Sequence, residues 1–240
     1  PEKFILTNVF GTFNLLQITN MYLSKFKKDF LFHHISTDEV FGDLDLESTP
    51  FNESTRYDPS SPYSASKASS DHLVRAWGRT YGIPYLITNC SNNYGPYQNN
   101  EKLIPKTITR ALNLETIPIY GNGSQIRDWL YVEDHVKALY RICTSNKKNE
   151  SFMIGGNNEK TNLEVVEIIC AMLDKIRPLD KKSNLKSYSN LITFVPDRPG
   201  HDKRYAVDIS KIFKNIGWSP NESFESGIQK TIEWYLENKL

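Results

Sequence analysis

Apolar residues crowd the start of the chain without keeping to one helical face: Phe4, Ile5, Val9, Phe10, Phe13, Leu16, Met21 and Leu23. A helix spread in this way is expected to be covered on two sides, by a sheet and by a second subunit. Phe30 to Ile35 is a short apolar run with charges behind it and Ser36-Thr37-Asp38 ahead, and it predicts a buried strand. Gly42 to Asp58 is polar, contains Pro50 and several carboxylates, and predicts a loop. Ser61-Pro62 then supplies a helix cap followed by proline at the first helical position. That helix should run to about Tyr81 and stop at Gly82 and Pro84, with a second buried strand at Tyr85 to Asn89. Strand, helix, strand in this order is the βαβ unit of a doubly wound parallel sheet.

From Asn92 onward the texture changes. Gly95-Pro96 and Asn99-Asn100 mark loops, and a helix is expected at about Pro105 to Leu112. A short strand follows at Ile117 to Tyr120, then a turn at Gly121-Asn122-Gly123. Val132 to Thr144 predicts a helix, Ser151 to Ile154 a strand, and Leu163 to Ile176 an amphipathic helix capped by Thr161 or Asn162. Lys181 to Asn190 predicts a polar loop, Leu191 to Val195 a strand, and about Glu225 to Asn238 the last helix.

Hydrophobic residues make up 39% of the 240 positions and charged residues 24%, enough for a buried core. The net charge of +1 gives no reason to expect nucleic acid or a membrane as partner. No apolar run approaches the roughly 20 residues of a membrane span, and no signal peptide is visible. Cys90, Cys143 and Cys170 lie far apart, with no metal-ligand spacing, so reduced thiols in a cytoplasmic protein are expected. The helical pattern begins at Pro1 with no strand before it, as though the sequence opened inside a domain.

Chemistry concentrates in two segments, Ser36 to Asp43 (STDEVFGD) and Ser60 to Lys67 (SSPYSASK). Ligands of open α/β sheets sit at the carboxyl ends of the strands, and Thr37, Asp38 and Glu39 fall just past such an end. Tyr63 and Lys67 are spaced i, i+4 and share a helical face. A nearby ammonium favours phenolate, which predicts a lowered Tyr63 pKa and a general base at neutral pH. Tyr-x-x-x-Lys is common by chance and an acidic pair is often a solvated loop; their joint occurrence on these elements points to catalysis.

Five stretches carry a resemblance: HHISTDEVFGDL, SSPYSASKASSDHLVRAW, TNCSNNYGPYQNNEKLIP, PIYGNGSQIRDWLYVEDH and DRPGHDKRYAVD. On these the chain resembles the extended short-chain dehydrogenase/reductase family and, within it, the dTDP-glucose 4,6-dehydratases. Sibling 4-epimerases share the Tyr and Lys but usually lack the Asp-Glu pair, and GDP-mannose dehydratases usually carry Ser-Glu after the Thr. The resemblance implies an α/β fold: a partial Rossmann-like doubly wound parallel sheet, its first strands missing, with a smaller C-terminal α/β substrate-binding domain. Residues 1–95 would be the C-terminal part of the NAD-binding domain. Residues 96–240 would mainly bind the sugar nucleotide, with about 130–155 returning to the first domain.

The resemblance also implies roles. Tyr63 takes the O4 proton while hydride leaves C4 for NAD, Lys67 holds the nicotinamide ribose and tunes Tyr63, and Thr37 hydrogen-bonds near O4. Glu39 removes the C5 proton, Asp38 protonates the departing O6 hydroxyl, and hydride returns to C6. Asn93 would contact the cofactor, and Asn92, Lys102 and Leu103 the substrate. Pro118, Ile119 and Tyr120 would flank the base. Arg127 and the turn Asp197, Arg198, Pro199, Gly200 and His201 would approach the pyrophosphate, with Asn162 adding a hydrogen bond. A homodimer through the helices at about 4–24 and 62–81 is implied, and no metal.

Departures are Phe41 where the family commonly has Tyr, Met153 where it commonly has Asn, and a loop around Lys182 to Asn190 that is too long by a few residues. The larger one is the Gly-rich strand-turn-helix that holds the pyrophosphate of NAD. Nothing before Thr37 matches it, and roughly 80 to 100 residues of such a domain are expected to be missing. Two alternatives stay open: a UDP-glucose 4,6-dehydratase or other sugar-nucleotide epimerase or dehydratase, and a non-catalytic sugar-nucleotide-binding fragment.

Overall fold

Ser61 starts the helix on which the site is built. Its hydroxyl accepts the Ser64 N–H at 3.1 Å, and the Ser64 hydroxyl accepts the Ser61 N–H at 2.9 Å. Two of the free donors at the helix start are thereby matched. Gly82, at φ +70°, ends the helix in the left-handed conformation that glycine adopts at least cost.

The computed structural model describes residues 1–26, 29–180 and 184–238. After a helical lead-in come α1 (Gly11–Phe26), β1 (Phe32–Thr37), α2 (Pro62–Tyr81), β2 (Tyr85–Cys90) and β3 (Asn92–Tyr94). Next are α3 (Leu103–Leu112), β4 (Ile117–Tyr120), β5 (Ile126–Tyr131), α4 (Val132–Cys143) and β6 (Glu150–Ile154). The chain closes with β7 (Glu159–Thr161), α5 (Asn162–Ile176), β8 (Ile192–Val195), α6 (Ser210–Ile216) and α7 (Phe224–Glu237).

β1, β2 and β6 form a parallel sheet in that order. Tyr85 and Ile87 pack with Leu16 and Val74 on one face. Leu86, Phe152 and Ile154 pack with Ala138, Ile142, Ile212 and Trp218 on the other. Helices thus cover both faces, which is why β2 is buried along most of its length and opens with three apolar residues in succession, Tyr85, Leu86 and Ile87. The outer edge of β6 is closed by side chains: Glu53 Oε1 accepts the Met153 N–H at 2.9 Å and Lys211 Nζ donates to the Ser151 carbonyl at 2.8 Å. A second sheet pairs β5 in parallel with β3 and antiparallel with β7, and β4 pairs in parallel with β8. A separate apolar cluster lies under them, built on Ile104, Ile108, Val165, Ile169, Phe224 and Ile232.

Several details depart from the sequence reading. The first helix is π-helical over Ile5–Phe10, where Asn8 is pinned to α2 by its amide on Ser66 Oγ (2.9 Å) and its carbonyl under Ser70 Oγ (2.7 Å). Only one side of α1 is covered within the chain: Leu16 is buried while Leu15, Ile18 and Met21 are exposed. Thr161, not Asn162, caps α5, through a reciprocal pair with Glu164. β3, β5, β7 and α6 were not anticipated. In β5 the charged Arg127 and Asp128 are both buried, so charge masked the strand. Of the expected loop at Lys181 to Asn190, positions 181–183 lie outside the described residues. Tyr188–Leu191 forms a 3₁₀ turn whose buried Tyr188 donates to the Arg177 carbonyl at 2.9 Å. Phe41 packs between Phe51 and Tyr57, so no hydroxyl is called for there.

Asp128 holds the turn after β6, accepting the N–H of Gly156 at 2.8 Å and of Asn158 at 2.7 Å. A Cβ on Gly156 would run into the Trp129 carbonyl oxygen of β5. Gly156→Ala is therefore expected to lower stability by about 3 kcal/mol or more, measured by urea denaturation.

Candidate active site

Thr37 is the last residue of β1 and the cap of a 3₁₀ turn over Asp38–Phe41. Its hydroxyl donates to Asp38 Oδ1 at 3.2 Å and accepts the Glu39 N–H at 3.3 Å. A strand end followed at once by a tight turn aims two consecutive carboxylates at the rim of the sheet. Asp38 is 2% exposed, and its Oδ2 has no hydrogen-bond partner among the described residues. Burial pushes this carboxyl up to about 8, with Glu39 and Asp128 adding to the shift and Thr37 and Arg127 opposing it. Glu39 is also raised by burial, against the positive charges of Lys102, Arg127 and Arg198.

Tyr63 and Lys67 share the face of α2 that meets this turn. The expectation that Lys67 lowers the Tyr63 pKa is not met. Burial first, then Glu39, Cys90 and Asp38, push the phenol up to about 12. Lys67 Nζ instead donates to the Ile35 carbonyl of β1 at 2.8 Å. Burial holds the Lys67 ammonium below its ordinary pKa, while Asp71 and Cys90 oppose the loss of charge.

Arg127 is buried, stacked 4.4 Å over the Tyr205 ring and bonded to the Asp202 carbonyl at 2.9 Å. Its charge acts on both Asp38 and Glu39, while the charges of Lys102 and Arg198 act on Glu39. Asn92 and Asn93 lie on β3 close after Cys90, and the Oδ1 of each is buried without a partner among the described residues. The Asn93 amide donates to Cys90 Sγ (3.3 Å) and to the Ser91 carbonyl (3.1 Å).

The turn from Asp197 to His201 folds over Tyr120. His201 Nδ1 lies 2.7 Å from Asp197 Oδ1, Arg198 Nη2 lies 2.9 Å from His201 Nε2, and the Arg198 guanidinium sits 5.2 Å from the Tyr120 ring. Gln125 donates to the other Asp197 oxygen at 2.9 Å. Gly200, at φ +65°, supplies the left-handed residue of this turn, next to Pro199. Ile119 is 1% exposed and belongs to the apolar core, so it supports Tyr120 and cannot itself flank a base. Pro118 is half-buried, Leu103 packs against the same core, and Asn162 is half-buried at the start of α5.

The sequence reading missed several polar residues, all but Asp202 of them buried. Asp128 reaches Asp38 electrostatically. Asp202 accepts from the Tyr205 and Ser60 hydroxyls. Arg204 clamps Glu159 and the carbonyl of Ser48. Asp71 and Asn89 lie behind Lys67. Of these only Asp71 carried a sequence signal, its i+4 spacing from Lys67.

The family model described as GDP-mannose 4,6 dehydratase matches residues 1–231. The dTDP-glucose 4,6-dehydratase of Neisseria meningitidis is 57% identical over 241 residues, covering 99% of this chain and 68% of that protein. The crystal structure of dTDP-glucose 4,6-dehydratase from Bacillus anthracis, in complex with NAD, superposes with a TM-score of 0.85 at 41% identity, over 98% of this chain and 69% of that one. That from Streptomyces venezuelae, also with NAD bound, gives a TM-score of 0.87 at 40% identity, over 98% and 67%.

Asp38 keeps its proton to about pH 8 in the folded chain but only to about 4 when unfolded. The folded state therefore binds the extra proton, and stability falls as pH rises between these values. Asp38→Asn removes that loss. The variant should melt above the parent chain at pH 8, and the gap should close toward about pH 4, in thermal melts across the range.

Proposed function

The chain belongs to the dTDP-glucose 4,6-dehydratases, and from that premise we propose that its residues convert dTDP-glucose to the 4-keto-6-deoxy sugar nucleotide in deoxysugar biosynthesis. The observation that carries this reading is the contrast between two neighbouring carboxyls. Asp38 is buried, protonated at neutral pH and has an unpaired oxygen, while Glu39 faces three positive side chains. One is suited to give a proton and the other to take one.

Residues 1–95 belong in this reading to the cofactor side. Residues 96–240 mainly hold the sugar nucleotide, with about 130–155 returning to the first part. The Oδ1 of Asn93, buried without a partner among the described residues while its amide rests on Cys90, fits the nicotinamide ribose end of NAD, with Lys67 and Asn93 holding it. When bound, NAD accepts hydride from C4 and returns it to C6. Tyr63 takes the proton from O4. At about 12 its phenol becomes an effective base only with a positive charge against it, which Lys67, one turn away, can supply. Thr37 orients the hydroxyl at C4. Glu39 then removes the proton at C5, made acidic by the 4-keto group, and Asp38 gives its proton to O6 as the C6–O6 bond breaks and water leaves; Glu39 returns a proton to C5 when hydride reaches C6. Asn92, Lys102 and Leu103 line the sugar side, and Asn162 adds a hydrogen bond near the pyrophosphate. Arg127 and Arg198 face the pyrophosphate, with Asp197 and His201 fixing Arg198, and Pro118 and Tyr120 flank the base.

The test is turnover of dTDP-glucose by the protein carrying this chain, with UDP-glucose as the competing substrate. Absence of a 4-keto-6-deoxy product would reject the reading. Glu39→Gln is expected to lower kcat by about 10² or more and to suppress deuterium uptake at C5 in D₂O.

The reading also includes a homodimer in the cytoplasm. No helix among the described residues is long and apolar enough to cross a membrane. The open side of the first helix, with Leu6, Phe10, Leu15, Ile18 and Met21 all more than half exposed, is an apolar stripe beside α2. Such a stripe is larger than isolated surface hydrophobics require. Sedimentation at micromolar concentration should return a dimer, and Ile18→Asp should return a monomer.

A further inference from the structure

We propose that Asp71 is a positioning residue of the site: its buried carboxylate keeps Lys67 charged and, through Asn89, fixes the Thr37 peptide from which Asp38 and Glu39 hang. Asp71 is one turn beyond Lys67 on α2 and has no exposed surface. Its Oδ2 accepts the Tyr57 hydroxyl at 2.7 Å and the Asn89 amide at 3.2 Å. His34 Nε2 lies 3.1 Å from its Oδ1. The same Asn89 nitrogen donates to the Thr37 carbonyl at 3.1 Å, so one side chain bridges the carboxylate to the residue that starts the acidic turn. Lys67 makes no direct ion pair with Asp71; its ammonium rests on the Ile35 carbonyl.

A buried carboxylate normally gives up its charge. Burial pushes Asp71 up, but His34, Tyr57 and Ser36 together outweigh it and hold the group below the usual carboxylate range. A buried carboxylate that favours its charged form therefore stands behind a lysine that burial pulls toward the neutral amine. The groups facing this pair are His34 and Ser36 from β1, Asn89 and Cys90 from β2, and Tyr57 from the loop before α2. Arg75 of α2 itself also reaches the pair, since it donates to the Tyr57 hydroxyl at 3.2 Å. Arg75 is thus one residue removed from Asp71; the basic side chains coupled to the carboxylate are His34, 3.1 Å away, and Lys67 through space. A purely structural role would require only the shape and hydrogen bonds of Asp71, which Asn largely keeps. The positioning role requires the charge.

The inference rests on the dehydratase reading for its effect on turnover, but not for its effect on Lys67. In the full-length protein, competitive labelling of lysines with acetic anhydride, read by mass spectrometry against pH, reports the titration of Lys67 without any turnover. Asp71→Asn should move the half-labelling pH of Lys67 down by about one unit. With NAD and dTDP-glucose present, it should lower kcat by about 100-fold with KM near the parent value. Asn89→Ala should leave the labelling pH in place and still lower kcat, because the charge remains while the bridge is cut. An unmoved labelling pH in folded Asp71→Asn, or a loss confined to KM, overturns the proposal. If Asp71→Asn does not fold, parent-like kcat in Asn89→Ala overturns it instead. An inactive parent protein would reject the dehydratase reading while the labelling result still decides the role of Asp71.

Discussion

Lys67 and Asn89 both end on carbonyl oxygens of β1, at Ile35 and Thr37, and these contacts set where α2 stands relative to the turn of Asp38 and Glu39. A parallel strand leaves its last carbonyls without a ladder partner unless something beyond the sheet bonds them. Here those groups receive side chains from the next helix and the next strand. The reactive face of α2 is therefore registered to the strand end by hydrogen bonds. The apolar contacts of Val74 and Leu16 behind it add burial but little direction.

The site is assembled against the preferences of its own groups. Asp38 is buried with one oxygen unpaired, and Tyr63 sits where its ionised form is unfavourable. Both arrangements weaken the fold locally and both hold a proton ready to move. The neighbouring cations lie around Glu39 and leave Asp38 less well matched. Two adjacent carboxyls thereby experience different surroundings although the sequence places them side by side.

The parts legible in the sequence were those governed by local rules. The Ser61-Pro62 start, the Gly82 stop and the apolar runs of β1 and β2 follow from capping, backbone freedom and burial, and each was placed within two residues or so. Thr37, Asp38, Glu39, Tyr63 and Lys67 stand out as candidates because they are contiguous or share a helical face. β5 was hidden because Arg127 and Asp128 are charged yet buried, and their partners Asp202, Gly156 and Asn158 come from distant segments. The state of Tyr63 was misjudged for a related reason. Spacing places Lys67 on its face but does not reveal that the ammonium is drawn away to a backbone carbonyl.

Glu53 and Lys211 occupy the backbone groups along the outer side of β6. A strand approaching from that side would have to displace a carboxylate and an ammonium before it could form its first hydrogen bond. The parallel sheet is thus sealed at one flank by chemistry rather than by a covering element, and it can grow only in the direction of β1. The order in which strands can be added to this domain, during folding or in an engineered fusion, has a built-in polarity.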